Sequence, residues 1–286
     1  MKSPTYIERV ERKYELAISE DSLPALRRDI SRYVPTHEFT PGQAVTINNT
    51  IYFDNDDFHF LRSGLANKSD HTRIRARKYE YDSASFDGLA YYWVELRIKR
   101  GEISRKQRLK LEKGDLQKFL EGREIDEAAL DYNQSQADSE QCKNLYEEIQ
   151  NIVLSHSLKP ILLVTHNRVA FEQGSVRITL DWDIRYYQAE ASISHYENLK
   201  DLPDQPCGRE TSMILELKYS GESPSWFSEL RQRHPIHSRR FFSKLDSGMK
   251  ALLQGPFKSH EDSEALLKMI DDYREKEEQE HLFASA

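Results

Sequence analysis

The sequence predicts an α+β fold built on strands whose two faces differ in charge. Three observations carry this expectation. Charged and apolar residues alternate with period two over many short stretches, capped helix-like segments lie between them, and Arg or Lys recurs at i, i+2 and i+4 in successive strands.

Taken in order, residues 8–18 form a first strand carrying Glu11 and Lys13. Asp21 and Ser22 can cap a helix that runs to about Tyr33, since Pro35 follows and cannot continue it. A strand at 44–53 precedes a short helix over 56–63 that is expected to end at Gly64. In residues 73–79 Arg73, Arg75 and Arg77 share one face, while Ile74, Ala76 and Lys78 point to the other. Residues 92–99 set Glu95, Arg97 and Lys99 against Val94, Leu96 and Ile98, and residues 106–112 repeat the pattern with Lys106, Arg108 and Lys110. Helices are expected over 115–120 and 139–155. Strands follow at 161–171, 176–181, 186–194 and 213–219, the last placing Glu216 and Lys218 opposite Leu215 and Leu217. Helices over 223–233 and 243–253 and a long acidic one from 259 to about 281 complete the chain. Loops are expected at 82–88, 137–140 and 201–208, and no boundary splits the chain sharply.

Composition narrows the class. The chain has 286 residues, of which 38% are hydrophobic and 31% charged, enough apolar material for a packed core and too much for a disordered chain. No apolar run approaches the ~20 residues of a membrane span, and the first residues lack the apolar core of a signal peptide, so a soluble cytoplasmic protein is expected. Cys142 and Cys207 are far apart and outside any Cys-x-x-Cys pattern, which makes them structural thiols. The net charge of −7 is unevenly spread. Residues 72–113 hold 12 Lys/Arg against 6 Asp/Glu, whereas residues 114–159 hold 4 against 10 and residues 258–286 hold 4 against 9. One basic region in an acidic protein suits an anionic ligand and argues against general nucleic-acid binding.

Strands with one charged face fit either an open sheet with that face in water or a barrel with a charged lumen. The repeated Arg and Lys favour the barrel. Two unit charges about 4 Å apart interact by roughly 4 kcal/mol at an effective dielectric of ~20, so the crowding is costly unless an anion compensates it. Phosphates suit the guanidinium fork and the compact lysine charge. The acids on those faces, Glu11, Glu95, Asp181 and Glu216, can each balance a cation; Glu216, mid-strand beside Lys218, is the best candidate to hold Mg²⁺ or Mn²⁺, which needs only one or two carboxylates beside phosphate oxygens and water. No phosphate-binding Gly-rich loop and no His-Glu-x-x-His pair is present, and His234 and His237 are expected in structural or surface roles.

Read in order, Glu11-Arg12-Lys13-Tyr14, Asn49-Thr50-Ile51-Tyr52-Phe53-Asp54, Arg75-Ala76-Arg77-Lys78-Tyr79, Glu95-Leu96-Arg97-Ile98-Lys99, Lys106-Gln107-Arg108, Arg168-Val169-Ala170-Phe171, Val176-Arg177-Ile178-Thr179-Leu180-Asp181, Leu215-Glu216-Leu217-Lys218 and Phe242-Ser243-Lys244 carry a family likeness. The chain resembles, over residues 6–253, the catalytic domain of the vacuolar transporter chaperone (VTC), a polyphosphate polymerase of the CYTH, or triphosphate tunnel metalloenzyme, superfamily. The resemblance implies an antiparallel β-barrel of about eight strands forming a charged tunnel surrounded by helices. Residues 1–256 would form the tunnel domain, with residues 257–286 an acidic helix packed on it or extending from it. It implies that Lys13, Arg75, Arg77, Lys106 and Arg108 serve catalysis. Arg97, Lys99, Lys110, Arg168, Arg177, Lys218, Ser243 and Lys244 would bind substrate, and Glu216 would hold the metal. Arg97 and Leu245 stand where the family has Lys and Tyr.

The function implied is transfer of the γ-phosphate of ATP to a growing inorganic polyphosphate chain with Mn²⁺ or Mg²⁺ as cofactor. The alternatives are a tripolyphosphatase or nucleoside triphosphatase of the same superfamily and a module that binds polyphosphate without turnover. ATP and polyphosphate are the expected ligands and nucleic acid is not. A counterpart of the family's eukaryotic regulatory domain is not expected, and export of product would need a separate membrane partner; the oligomeric state is left open.

Overall fold

A computed structural model describes the chain except residues 1–8, 18, 82–90, 102, 127–129, 131–132, 134–138, 190–201, 203, 239–241 and 284–286. In order, the elements are β1 (Arg9–Leu16), α1 (Leu23–Ser31), β2 (Thr36–His37), β3 (Val45–Asp54), α2 (His59–Ala66), β4 (Asp70–Glu80), β5 (Tyr91–Arg100), β6 (Ile103–Glu112), α3 (Lys113–Leu120) and α4 (Ser139–Ser155). They continue with β7 (Lys159–Gln173), β8 (Val176–Gln188), β9 (Gly208–Arg209), β10 (Met213–Ser220), α5 (Ser225–Arg233), β11 (Ile236–Ser238), α6 (Lys244–Gln254) and α7 (Ser263–Phe283).

The strands form one sheet in the order β11-β1-β10-β8-β7-β3-β4-β5-β6, with β2 added to β7 and β9 to β8. Every pairing is antiparallel. Tight connections make this possible: β7 turns into β8 through two residues, and the first, Gly174, has φ 58°, which fits the primed turns that match strand twist. Among the described residues no ladder joins β6 to β11 or β1, so the barrel expected from resemblance is a curled sheet with an open seam. The curl brings its ends together nonetheless, since Glu11 on β1 lies within electrostatic reach of Arg97 on β5.

The period-two pattern sorts the two faces. On the convex face, Ile51, Phe53, Ile74, Ala76, Leu96 and Leu109 are buried under α3 and α4, which contribute Leu116, Phe119, Ile149 and Val153. At the other end Leu16, Phe171, Leu180 and Leu217 are covered by Leu26 and Ile30 of α1 and by Phe227 and Leu230 of α5. Each fully buried aliphatic or aromatic side chain contributes about 1.5–3 kcal/mol, so these two layers hold the sheet's shape from outside. A third cluster joins Leu162, Val164, Ile184, Tyr186 and Ile214 to Met249, Leu252 and Leu253 of α6 and Leu266 and Ile270 of α7. Leu162 pairs with Tyr52 and Ile214 with Asp181, both on the concave face, so α6 lies inside the curl and fills one end of it.

That close approach depends on Gly248. A Cβ there would sit 2.6 Å from Leu162 Cδ2 and 2.9 Å from Tyr186 Cδ1, distances that real Cβ atoms do not tolerate.

Several sequence expectations need correction. Residues 176–181 and 186–194 are not two strands. They belong, as far as residue 188, to the single strand β8, whose pairing with β7 shifts between Thr165 and Asn167 while Asp183 takes φ 49°. Residues 190–194 lie outside the described residues. The bulge switches the alternation, so that Asp181 before it and Tyr186 after it both reach the concave side. The helix expected over 56–63 begins instead at His59 and runs through Gly64 to Ala66. Its cap is Asp54 at the end of β3, which accepts the N–H groups of Phe60 at 3.0 Å and Leu61 at 2.9 Å. Gly64 is buried within α2. Lys78 lies on the face opposite Arg75 and Arg77 as its position in the alternation requires, but there it is largely buried, its side chain 14% exposed and paired with Glu80 at 2.7 Å. The loop expected at 82–88 lies outside the described residues, residues 139–140 open α4, and residue 208 belongs to β9. Among the described residues, no helix is long and apolar enough to cross a membrane.

Candidate active site

Charged side chains line the concave face beyond α6 because alternation sends one residue in two of each strand inward, and register aligns them across strands. Thr50 pairs with Arg77 and Tyr52 with Arg75; Arg75 in turn faces Glu95, which faces Arg108. Glu95, 2% exposed, is the centre of the first group: Arg75 Nε donates to its Oε2, and Lys106 Nζ lies 3.0 Å from its Oε1. Burial alone would raise the Glu95 pKa, but Arg75, Arg77 and Lys106 together bring it to about 2. Arg77 Nε donates to Thr50 Oγ1 at 2.9 Å. The Tyr52 hydroxyl, buried yet surrounded by Arg75, Arg77 and Lys244, is held below its ordinary value.

The second group centres on Asp181. Arg168 grips it with two bonds, Nε to Oδ1 at 2.6 Å and Nη2 to Oδ2 at 2.7 Å, and Lys244 Nζ reaches Oδ2 at 2.5 Å. Burial opposes the Asp181 charge, yet Arg168 and Lys244 outweigh it and hold the carboxyl well below the usual range. Lys244 arrives there because Ser243 caps α6, its Oγ accepting the Asp246 N–H at 3.4 Å. His166 sits 3.7 Å from Asp181 with neither ring nitrogen hydrogen-bonded, and burial keeps it neutral, its pKa well below the ordinary value.

The third group spans β1 and β10, where Lys13 pairs with Glu216 and Glu11 with Lys218. Lys218 Nζ lies 2.8 Å from Glu216 and 3.0 Å from Glu11, and Lys13 Nζ donates to the Phe242 carbonyl at 3.0 Å. Burial raises the Glu11 pKa, but Lys218 and Lys13 bring it to about 2. The Glu11 and Glu216 carboxyl groups thus converge on the same Lys218 ammonium. Among the described residues no cluster of three or more His, Cys, Asp or Glu side chains is present, but Mg²⁺ or Mn²⁺ commonly uses one or two carboxylates with phosphate oxygens and water. The Glu11–Glu216 pair fits that requirement.

Of the residues singled out from sequence, Arg75, Arg77, Lys106, Arg168 and Lys244 come together around Glu95, Tyr52 and Asp181, and Lys13, Glu216 and Lys218 form the adjoining group. Arg97 lies between them, its charge opposed first by burial and then by Arg73, and favoured by Glu11. Arg108 and Lys110 lie against aromatic rings, Arg108 at 4.1 Å from Trp93 and Lys110 at 4.8 Å from Tyr91. Arg177 pairs with Glu172 at 3.3 Å, and Lys99 lies towards the end of β5 opposite His71. Sequence reasoning missed Thr50, Tyr52 and Tyr79 as lumen residues, although polar Asn48, Thr50 and Tyr52 at alternate positions of β3 signal them. It assigned no role to Asp246, 1% exposed with neither carboxyl oxygen hydrogen-bonded among the described residues, or to His166.

An antiparallel sheet curled around opposed cations from its successive strands, with carboxylates shared among them, defines a tunnel-type fold with a charged interior. The chain belongs to the VTC domain family, whose model matches residues 8–253. It is 27% identical over 233 residues to vacuolar transporter chaperone complex subunit 4 of Trypanosoma brucei brucei, a match covering 75% of this chain and 29% of that protein. The subunit 4 of Schizosaccharomyces pombe is 26% identical over 266 residues, covering 82% and 36%. The chain thus spans about a third of the length of these relatives. A solved structure from Bacillus halodurans, provisionally assigned as an adenylate cyclase, aligns with 84% of this chain and 96% of its own at 15% identity and a TM-score of 0.42.

Proposed function

We propose that the protein is a metal-dependent polyphosphate polymerase, transferring the γ-phosphate of ATP to the end of an inorganic polyphosphate chain. The observation that carries this proposal is the convergence of Arg75, Arg77, Lys106, Arg168 and Lys244 on one face of the sheet, each anchored on a carboxylate or hydroxyl. Phosphoryl transfer asks a protein mainly for position and charge stabilisation. The attacking terminal oxygen of a polyphosphate is already anionic, so no general base is needed, in keeping with a neutral His166. The bond formed joins that oxygen to the γ-phosphorus, the β–γ bridging bond breaks, and ADP leaves. Arg75, Arg77 and Arg168 neutralise the three equatorial oxygens; Lys106 and Lys244 follow charge as it moves to the bridging oxygen. Glu11 and Glu216 would hold Mn²⁺ or Mg²⁺, which supplies further charge neutralisation to the phosphates. The VTC family membership and the likeness to complex subunits support this assignment. The tunnel would act in the cytoplasm, where ATP is supplied, with a membrane partner for export.

Incubation of the purified protein with ATP and Mn²⁺ or Mg²⁺, followed by separate assays for long-chain polyphosphate and free phosphate, tests it. Polymer is expected. Phosphate without polymer would overturn the assignment in favour of a hydrolase, and binding without turnover in favour of a polyphosphate-binding module.

A further inference from the structure

A second basic cavity lies outside the tunnel, on the flank of α6 that faces β9 and α7. It has a volume of about 450 Å³ and is lined by Arg209 of β9, Lys250 and Ser247 of α6 and Arg274 of α7, with Tyr186 and Cys207 at its wall. Three cations line it against one carboxylate, Glu210, which already accepts the Tyr186 hydroxyl at 2.8 Å. Lys250 Nζ is paired with Asp271 at 2.6 Å. The two arginines have no such partner: Arg274 Nη2 donates to Ser247 Oγ at 3.2 Å, and neither guanidinium has a carboxylate within ion-pair distance among the described residues. Cavities of this size hold small molecules rather than single ions. Arg274 also lies within electrostatic reach of the buried Asp246, but neither it nor Arg209 is closed off by a direct ion pair among the described residues, so both guanidinium groups can offer phosphate oxygens bidentate bonds.

We propose that this cavity is a second anion site, taking a compact small molecule that carries two or more phosphate groups, separate from the tunnel. Phosphate groups would bind Arg209 and Arg274, with Ser247 donating its hydroxyl and Lys250 turning from Asp271. The site does not depend on the polymerase assignment, because none of the residues that would bind its anion, Arg209, Ser247, Lys250 and Arg274, is among those that converge on Glu95, Asp181 or Glu11.

Cys207 provides a local probe, being exposed in the cavity wall, whereas Cys142 is buried. With pyrophosphate as the test anion, alkylation of Cys207 by N-ethylmaleimide is expected to slow about tenfold at about ten times the dissociation constant, since only the empty fraction reacts. Sulfate at matched ionic strength should protect far less. The exposed Arg209→Glu and, independently, Lys250→Glu should each abolish protection while leaving tripolyphosphate binding in the tunnel unchanged. Unprotected Cys207 in the wild type at saturating pyrophosphate, or protection that survives both substitutions, would overturn the proposal; loss of polymerase activity would not bear on it.

Discussion

Lys218 bridges Glu11 and Glu216, its Nζ 3.0 Å from the first carboxylate and 2.8 Å from the second, so each is poised yet already compensated. Glu216→Gln, nearly isosteric but uncharged, is expected to lower metal-dependent turnover by about a hundredfold or more with little change in melting temperature, because the hard cation loses an anionic ligand. Activity unchanged across a Mn²⁺ titration would remove Glu216 from the metal site. Arg75 and Arg77 separate from Lys78 by face. Losing a charge-assisted hydrogen bond typically costs ~1.5–3 kcal/mol, so Arg75→Ala or Arg77→Ala should weaken tripolyphosphate binding by roughly ten- to a hundredfold in calorimetry. Lys78→Ala should leave that affinity alone and lower stability instead, since the buried Glu80 would keep the Asn49 amide but lose its cation on the convex face. Glu95 supplies a pH signature. Its pKa is depressed from an ordinary 4.5 to about 2, so its ion pairs stabilise the fold fully above the unfolded value and are lost as pH falls from about 4.5 towards 2. The melting temperature should fall across that window, and Glu95→Gln should flatten the fall while lowering stability at neutral pH.

At the scale of elements, Gly248 links packing to chemistry. Gly248→Ala should destabilise the protein by about 1–3 kcal/mol in denaturant titration, because the added methyl meets Leu162 and Tyr186 below 3.0 Å. As α6 shifts, Lys244 should lose its contact with Asp181, and triphosphate binding should weaken with it. An unaltered unfolding midpoint would show that α6 has room to retreat. Local patterns foretold most elements: α4 spans 139–155 as its periodicity indicates, and the alternating cations of β4, β5 and β6 face one another as their spacing requires. What stayed hidden depends on tertiary contacts. The αL residue Asp183 carries no glycine to announce the bulge, and the cap of α2 comes from a neighbouring strand. His166 and Asp246 look like ordinary strand and helix residues until the core closes over them. Alternation alone is the same whether the charged faces meet water or one another; the recurrence of Arg and Lys across successive strands is what favours the enclosed arrangement, and the nine-strand order carries it.

For the whole molecule, a polyanion that spans several strands should stabilise the fold. Binding at about 100 times Kd adds ~2.7 kcal/mol, which for a chain of this size raises the melting temperature by roughly 5–8 °C. Tripolyphosphate should therefore exceed sulfate at matched ionic strength, and the Arg75→Ala/Arg77→Ala double variant should show a smaller shift. Equal stabilisation by both anions would mean that the inward cations act one at a time rather than as a set.

Glu95 and Asp181 each stand between two cations, in the positions that phosphate oxygens would take. The empty tunnel thus contains internal placeholders, and loading it is a displacement rather than an addition. An arriving anion must outcompete carboxylates tethered at high local concentration, which a singly bound ion does poorly and a linked chain of phosphates does well, because each displacement helps the next. If the tunnel takes polyphosphate as proposed, selectivity for chains over free phosphate would follow from the protein's own acids, with no contact that measures length.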